Sequence, residues 1–201
     1  MAGKLVKTLR EAIELSGLKS GMSVSFHHHL RNGDYTLNMV MDVIASMGIR
    51  DLTLNASSLF DTHAPLEEHI RTGVVRKINT NYMSAALGHR ISEGLMDEPV
   101  DFRTHGGRPR DISLGITPID VAFIAAPTAD CQGNCSGKFG PSACGSLGYA
   151  FPDAMYAKHV IVITDNLVPY PLQGWSIPEI HVDYVVEVDA IGNPQGIVSG
   201  T

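Results

Sequence analysis

The sequence is poor in most of the features that assign a class at once, and each absence excludes something. Charged residues make up only 18% of its 201 positions, and no internal repeat or low-complexity linker interrupts it, so a disordered chain is excluded. The formal net charge is −6, which leaves no general positive field for nucleic acid. No apolar run approaches the roughly 20 residues of a membrane span. Met1 to Arg10 mixes lysines with isolated apolar positions and lacks the continuous apolar core of a secretion signal. Cysteine is scarce: Cys131, Cys135 and Cys144 are the whole set. An odd number in an unexported chain argues for free thiols and a cytoplasmic location. Their C-x3-C-x8-C spacing suits neither structural zinc pairs nor common cluster runs, so no metal is expected. Neither a G-x-G-x-x-G nor a G-x-x-x-x-G-K-[ST] loop is present, nor a G-x-S-x-G elbow, which disfavours dinucleotide enzymes, P-loop NTPases and the serine hydrolases of that elbow.

What is there reads as one α/β domain. The length suits a single core, and the hydrophobic fraction of 44% fits a globular protein. Helical spacing is expected over Lys4 to Leu15 and Thr36 to Met47, with Asp34 or Thr36 as the cap of the second. Pro65 opens a short helix. Further helices are expected over Asn81 to Leu87, ending at Gly88, and from about Ser146 to Ala157. Strands are expected at Met22 to Phe26, Asp51 to Asn55, Val74 to Ile78, Asp120 to Ala126, His159 to Thr164 and Tyr184 to Val188. Thr128 to Gly140 reads as a Gly- and Cys-rich loop. Alternation of strands and helices implies crossovers and an open, mostly parallel sheet with helices on both faces. Ile197 to Thr201 carries no terminal helix, an ending that reads as a cut and predicts one domain of a longer protein.

Three segments carry candidate chemistry. Ser25 to Ile44, SFHHHLRNGDYTLNMVMDVI, is a strand that stops at a polar turn and feeds a helix, the place where open α/β sheets hold ligands. Adjacent strand residues point to opposite faces, so His27, His28 and His29 cannot converge on one ion. They are expected instead to face an anionic or acyl-oxygen ligand, with backbone amides near Gly33 as further donors and Asn38 in the same segment; the plainer reading is a strand end with incidental polar residues. Thr104 to Arg110, THGGRPR, is the one compact basic segment. His105, Gly106 and Gly107 would let the backbone approach a ligand, and Arg108 would hold a phosphate or carboxylate; the plainer reading is a solvated loop. In DVAFIAAPTADCQGN, Asp120 to Asn134, the residues Asp130, Gly133 and Asn134 suit either a binding turn or ordinary turn chemistry.

With these segments in view, the chain resembles the first half of the citrate lyase alpha chain family, the citrate CoA-transferase subunits. The segments that carry the likeness are GMSVSFHHHLRNGDYTLNMVMD, THGGRPR and DVAFIAAPTADCQGN, and it runs essentially throughout. Ordinary CoA-transferases have a glycine-rich loop where His27 to His29 stand. The resemblance implies a CoA-transferase-like three-layer domain over residues 1–201, the first of two. The acyl-accepting glutamate would lie in the second, so no catalytic residue is assigned here. The implied reaction turns acetyl acyl carrier protein plus citrate into the citryl thioester plus acetate. The implied thiol belongs to a phosphoribosyl-dephospho-CoA group on the acyl carrier protein, with no cofactor held by this chain. The implied partners are citrate, the carrier or CoA thioester, the beta and gamma subunits and further copies in a homo-oligomer, but neither nucleic acid nor membrane. Alternatives are another CoA-transferase acting on a small carboxylic acid, a sugar-phosphate isomerase or deaminase of similar fold, and a non-catalytic ligand-sensing domain.

Overall fold

The protein is seen here as a computed structural model that describes residues 3–197. In chain order its elements are β1 (Leu5–Val6), α1 (Leu9–Leu15), β2 (Ser23–Phe26), α2 (Thr36–Ser46), β3 (Leu52–Ala56), α3 (Leu66–Arg71), β4 (Val75–Thr80), α4 (Ala85–Arg90), β5 (Asp101–Phe102), α5 (Gly107–Ser113), β6 (Val121–Ala125), β7 (Thr128–Asp130), β8 (Cys135–Ser136), α6 (Phe151–Tyr156), β9 (His159–Thr164), β10 (Leu167–Val168) and β11 (Tyr184–Glu187). No helix among the described residues is long and apolar enough to cross a membrane.

Eight strands form one parallel sheet in the order β1-β11-β9-β6-β2-β3-β4-β5. The chain lays β2 in the middle, winds outward through β3, β4 and β5, then returns to β6 on the other side of β2 and winds outward again. The direction reverses between β2 and β6, and at such a switch the strand ends diverge and open a crevice. A separate small sheet runs β10-β7-β8.

Burial explains the strand sequences. Strands β6 (VAFIA) and β9 (HVIVIT) are near-continuous apolar runs because helices cover them on both faces. Val121, Phe123, Ile161 and Ile163 join the core beneath α1, α2 and α3. Ala122, Ile124, Val160 and Val162 join a second core with residues of α5 and α6. Helix α2 buries Leu37, Val40, Met41 and Ile44 completely or nearly so, each contributing about 1.5–3 kcal/mol relative to an exposed side chain. The N-cap of that helix is Tyr35, not Asp34 or Thr36 as expected, and no side chain caps it; Asp34 lies one residue before, its Oδ1 accepting the Thr36 N–H at 2.7 Å and its Oδ2 meeting His63 Nε2 at 3.0 Å.

Several expectations are corrected. The helix expected from Lys4 begins at Leu9, capped by Thr8, because Leu5–Val6 is an edge strand on Val185–Val186. The helix expected over Asn81 to Leu87 runs instead from Ala85 to Arg90, and Gly88 lies inside it. The loop expected over Thr128 to Gly140 contains strands β7 and β8. Of the ending expected to be a cut, Val198 to Thr201 lies outside the described residues.

Candidate active site

The three histidines follow β2 directly, at the switch point. Their neighbours lie at the carboxyl ends of the flanking strands, Ser57 just after β3 and Ala125 closing β6. His27 is buried. Its Nε2 accepts the Ala125 backbone N–H at 2.9 Å, and its Nδ1 lies 2.7 Å from His29 Nδ1. His28 Nδ1 lies 2.6 Å from Ser57 Oγ. The rings of His28 and His29 stack with centroids 5.7 Å apart. His28 and His29 are only partly buried, and neither Nε2 has a protein partner or is sealed from solvent. The loop therefore presents two open imidazole nitrogens at the crevice.

The surroundings keep these rings uncharged at neutral pH. Burial, with smaller contributions from His29, His28 and Arg108, pushes His27 well below the ordinary 6.5. Burial, with His29, His105, Arg31 and Arg108, brings His28 down to about 4. His29 also falls to about 4 through burial, which outweighs the pull of Asp153 in the other direction. His29 opposes protonation of His27 and His28, and Arg31 opposes that of His28 and His29.

The THGGRPR segment forms the next wall. His105 stacks flat on Tyr149, with ring centroids 4.2 Å apart, and Tyr149 stands edge-on to His28 at 5.1 Å. The Tyr149 hydroxyl donates to the His105 carbonyl at 2.8 Å. Thr104, His105 and Gly106 form an exposed turn, and only the second half of the segment, from Gly107, is helical with Arg108 buried. Thr104 Oγ1 accepts the Gly107 N–H at 3.0 Å, and α5 starts there. Gly106 has open space where a side chain would stand, whereas a Cβ on Gly107 would meet Thr104 Oγ1 at 2.7 Å.

Arg108 departs from expectation in both directions. It is 3% exposed, so it is no solvated charge. Its fork is also already filled: Nη1 donates to Asp153 Oδ2 at 2.8 Å and Nη2 donates to Asp153 Oδ1 at 2.5 Å. Nη2 also donates to the Asn55 carbonyl at 3.2 Å. Arg108 ties α5 to α6 and to the end of β3, and its guanidinium carbon lies 5.8 Å from the Tyr149 ring centre. It supports the wall and has no free fork for a ligand.

Gly33 and Asn38 are also placed structurally. The Gly33 N–H donates to the Leu30 carbonyl at 2.9 Å, so it is not a free donor. A Cβ there would stand 2.4 Å from the Asn193 carbonyl oxygen, and the glycine is needed for that close crossing. Asn38 Nδ2 donates to the Thr62 carbonyl at 2.9 Å, while its Oδ1 is buried without a partner.

Asp130, Gly133 and Asn134 form a closed turn. Asp130 Oδ1 accepts the N–H groups of Gln132, Gly133 and Asn134. Its Oδ2 accepts Asn134 Nδ2 and the Leu172 N–H, each at 2.9 Å. Gly133 has φ +98°, a conformation that favours glycine. The three cysteines are free thiols. Burial raises Cys135 strongly, with Asp130 adding to it, and takes Cys144 up to about 12, so neither is a ready nucleophile.

The structure adds residues that the sequence did not single out. Arg31 sits two positions past His29 in the left-handed region, φ +52°, uncommon for a side chain of this kind. It is partly buried, acts electrostatically on His28 and His29, and has no carboxylate partner among the described residues. Its position in the R-N-G-D turn was the available signal. Tyr149, Ser57 and Asp153 carried none. Volume alone would mislead here: a hollow of about 520 Å³ lies at the opposite ends of the strands, around Asp51, Gly73, Arg76 and Glu98.

Comparison with known proteins agrees with this geometry. The family model "Citrate lyase, alpha subunit (CitF)" matches residues 2–201. The citrate lyase alpha chain of Escherichia coli is 51% identical over 98% of this chain, and that of Haemophilus influenzae 49% over the same share. A structure from Streptococcus mutans, described as an alpha subunit of citrate lyase in complex with citrate, superposes with a TM-score of 0.95 at 52% identity, covering 96% of this chain and 38% of that one. Glutaconate coenzyme A-transferase from Acidaminococcus fermentans shares the fold, with a TM-score of 0.66 at 17% identity over 96% of this chain and 77% of that one. The chain spans 39% of the length of the curated relatives it matches. With a match along essentially its whole described length, the chain belongs to the citrate lyase alpha subunit family.

Proposed function

We propose that residues 1–201 are the N-terminal domain of a two-domain citrate CoA-transferase and that the histidine crevice handles citrate. The observation that carries this is the pair of open, uncharged imidazole nitrogens of His28 and His29 at the switch point, with Arg31 beside them. Membership of the family and the citrate bound by the Streptococcus mutans relative support it.

The chemistry suits such a surface. Acetyl acyl carrier protein and citrate exchange to give citryl acyl carrier protein and acetate, so an acyl group passes between a carboxylate and a thiol. Negative charge gathers on acyl oxygens along that path, and fixed donors stabilise it. Neutral imidazoles can donate to a carboxylate or acyl oxygen without a competing counter-ion. Arg31 supplies a positive charge for a tricarboxylate. The stacked His105 and Tyr149 shape one side, held by the Arg108–Asp153 pair. The acyl-accepting glutamate belongs to the second domain in this reading. The thiol belongs to a phosphoribosyl-dephospho-CoA group on the carrier, and the beta and gamma subunits and further copies of the chain are its cytoplasmic partners.

Exchange kinetics of the intact protein test the proposal. His29→Ala should raise the citrate KM by roughly tenfold, the worth of one hydrogen bond to a charged group, with the fold retained. If neither His28→Ala nor His29→Ala changes citrate-dependent exchange in a folded protein, the crevice is not where citrate is handled.

A further inference from the structure

The donor bookkeeping around His27 decides more than its burial. The Ala125 N–H can only donate, so His27 Nε2, 2.9 Å away, must be unprotonated. A neutral imidazole carries its single proton on the other nitrogen, so His27 holds it on Nδ1. That N–H points at His29 Nδ1, 2.7 Å away, which must therefore accept. A proton on His29 Nδ1 would meet the His27 proton head-on at that distance. The contact excludes both the Nδ1–H tautomer and the imidazolium form of His29.

We infer that His27 is a positioning residue which, anchored on the end of β6, locks His29 as the Nε2–H tautomer, so that the crevice offers a fixed neutral donor there. Three groups joined by two consecutive hydrogen bonds set the polarity: a backbone amide, a buried ring and an open ring. The open end, His29 Nε2, has no protein partner. It suits an oxygen that only accepts, a carboxylate or an acyl oxygen, and it is unsuited to taking a proton from a substrate. Ser57 makes no such demand on His28, because a hydroxyl can donate or accept. His29 is thus the ring whose role is dictated by the backbone. This deepens the citrate reading and rests on it only for the identity of the acceptor.

Long-range 1H–15N correlation spectra of the intact, ligand-free protein labelled with 15N at histidine test the relay without reference to activity. His27 should show the Nδ1–H pattern and His29 the Nε2–H pattern at neutral pH. His27→Ala removes the donor and should leave His29 a mixture of tautomers. His27→Asn can still donate to His29 Nδ1 through its NH2 but can also turn its oxygen there, so it should restore the Nε2–H form only in part. An Nδ1–H or charged His29 in the unaltered protein would overturn the inference, even if His27→Ala fails to fold. Exchange kinetics then separate the two levels. A roughly tenfold rise in citrate KM in His27→Ala, partly reversed in His27→Asn, assigns the acceptor to citrate. An unchanged KM with the expected spectra would leave the relay intact and remove citrate as its acceptor.

Discussion

The histidine loop after β2, in the main sheet, and the Asp130 turn between β7 and β8, in the small sheet, both follow a strand directly, yet they use polar residues in opposite ways. Asp130 is fully buried, and its two oxygens accept five N–H groups. Nothing is left over for a ligand. The histidine loop commits one nitrogen of each of His28 and His29 to the protein and leaves the other open. The difference teaches that polar residues at a strand end mark a site only when the local hydrogen bonds are incomplete.

Three substitutions and a pH series sharpen the contrast. The largest effect is expected at the closed turn. Asp130→Ala would strand several buried N–H groups, each costing about 1–3 kcal/mol, so chemical denaturation should show a loss of at least about 3 kcal/mol. A mild loss would mean that the turn is not closed as described. Arg108→Lys comes next. An ammonium cannot reproduce the two-point contact with Asp153, and breaking a buried pair is costly, so about 2 kcal/mol of stability should be lost. An unaltered stability with an altered citrate KM would restore Arg108 as a ligand contact.

Acid should act through the histidine loop. Unfolded imidazoles bind protons near 6.5, whereas His28 and His29 bind them only near about 4 in the folded chain. Between these values unfolding takes up protons, so stability is whole above 6.5 and declines as the pH falls towards 4. A His28→Gln, His29→Gln double variant should have a shallower decline in denaturation midpoint. An equal slope in both proteins would place the acid sensitivity elsewhere.

The smallest change is expected at Arg31. Arg31→Gly relieves the left-handed backbone and should leave stability unchanged or raise it by about 1 kcal/mol, while weakening citrate binding. A variant that binds citrate as before would remove Arg31 from the site.

Sequence patterns placed the histidine loop at the end of β2 but did not disclose its internal wiring. The crevice was legible because a two-residue alternation stops at a polar turn and hands over to a helical period at Thr36. The buried strands were legible because VAFIA and HVIVIT can only be covered on both faces. The edge strand at Leu5–Val6 was hidden, since its partner Val185–Val186 lies at the other end of the chain and the helical spacing of α1 runs into it. The partner of Arg108 was hidden for a related reason: the carboxylate that fills its fork is 45 residues away, beyond any local pattern. The tautomer of His29 depends on Ala125, which sequence proximity does not disclose at all.

A crystal structure of the intact protein with citrate tests the central claim most directly. The account predicts a citrate carboxylate oxygen within hydrogen-bonding reach of His29 Nε2, with Arg31 turned towards the ligand. Citrate bound elsewhere, with the nitrogens of His28 and His29 still facing only solvent, would contradict it.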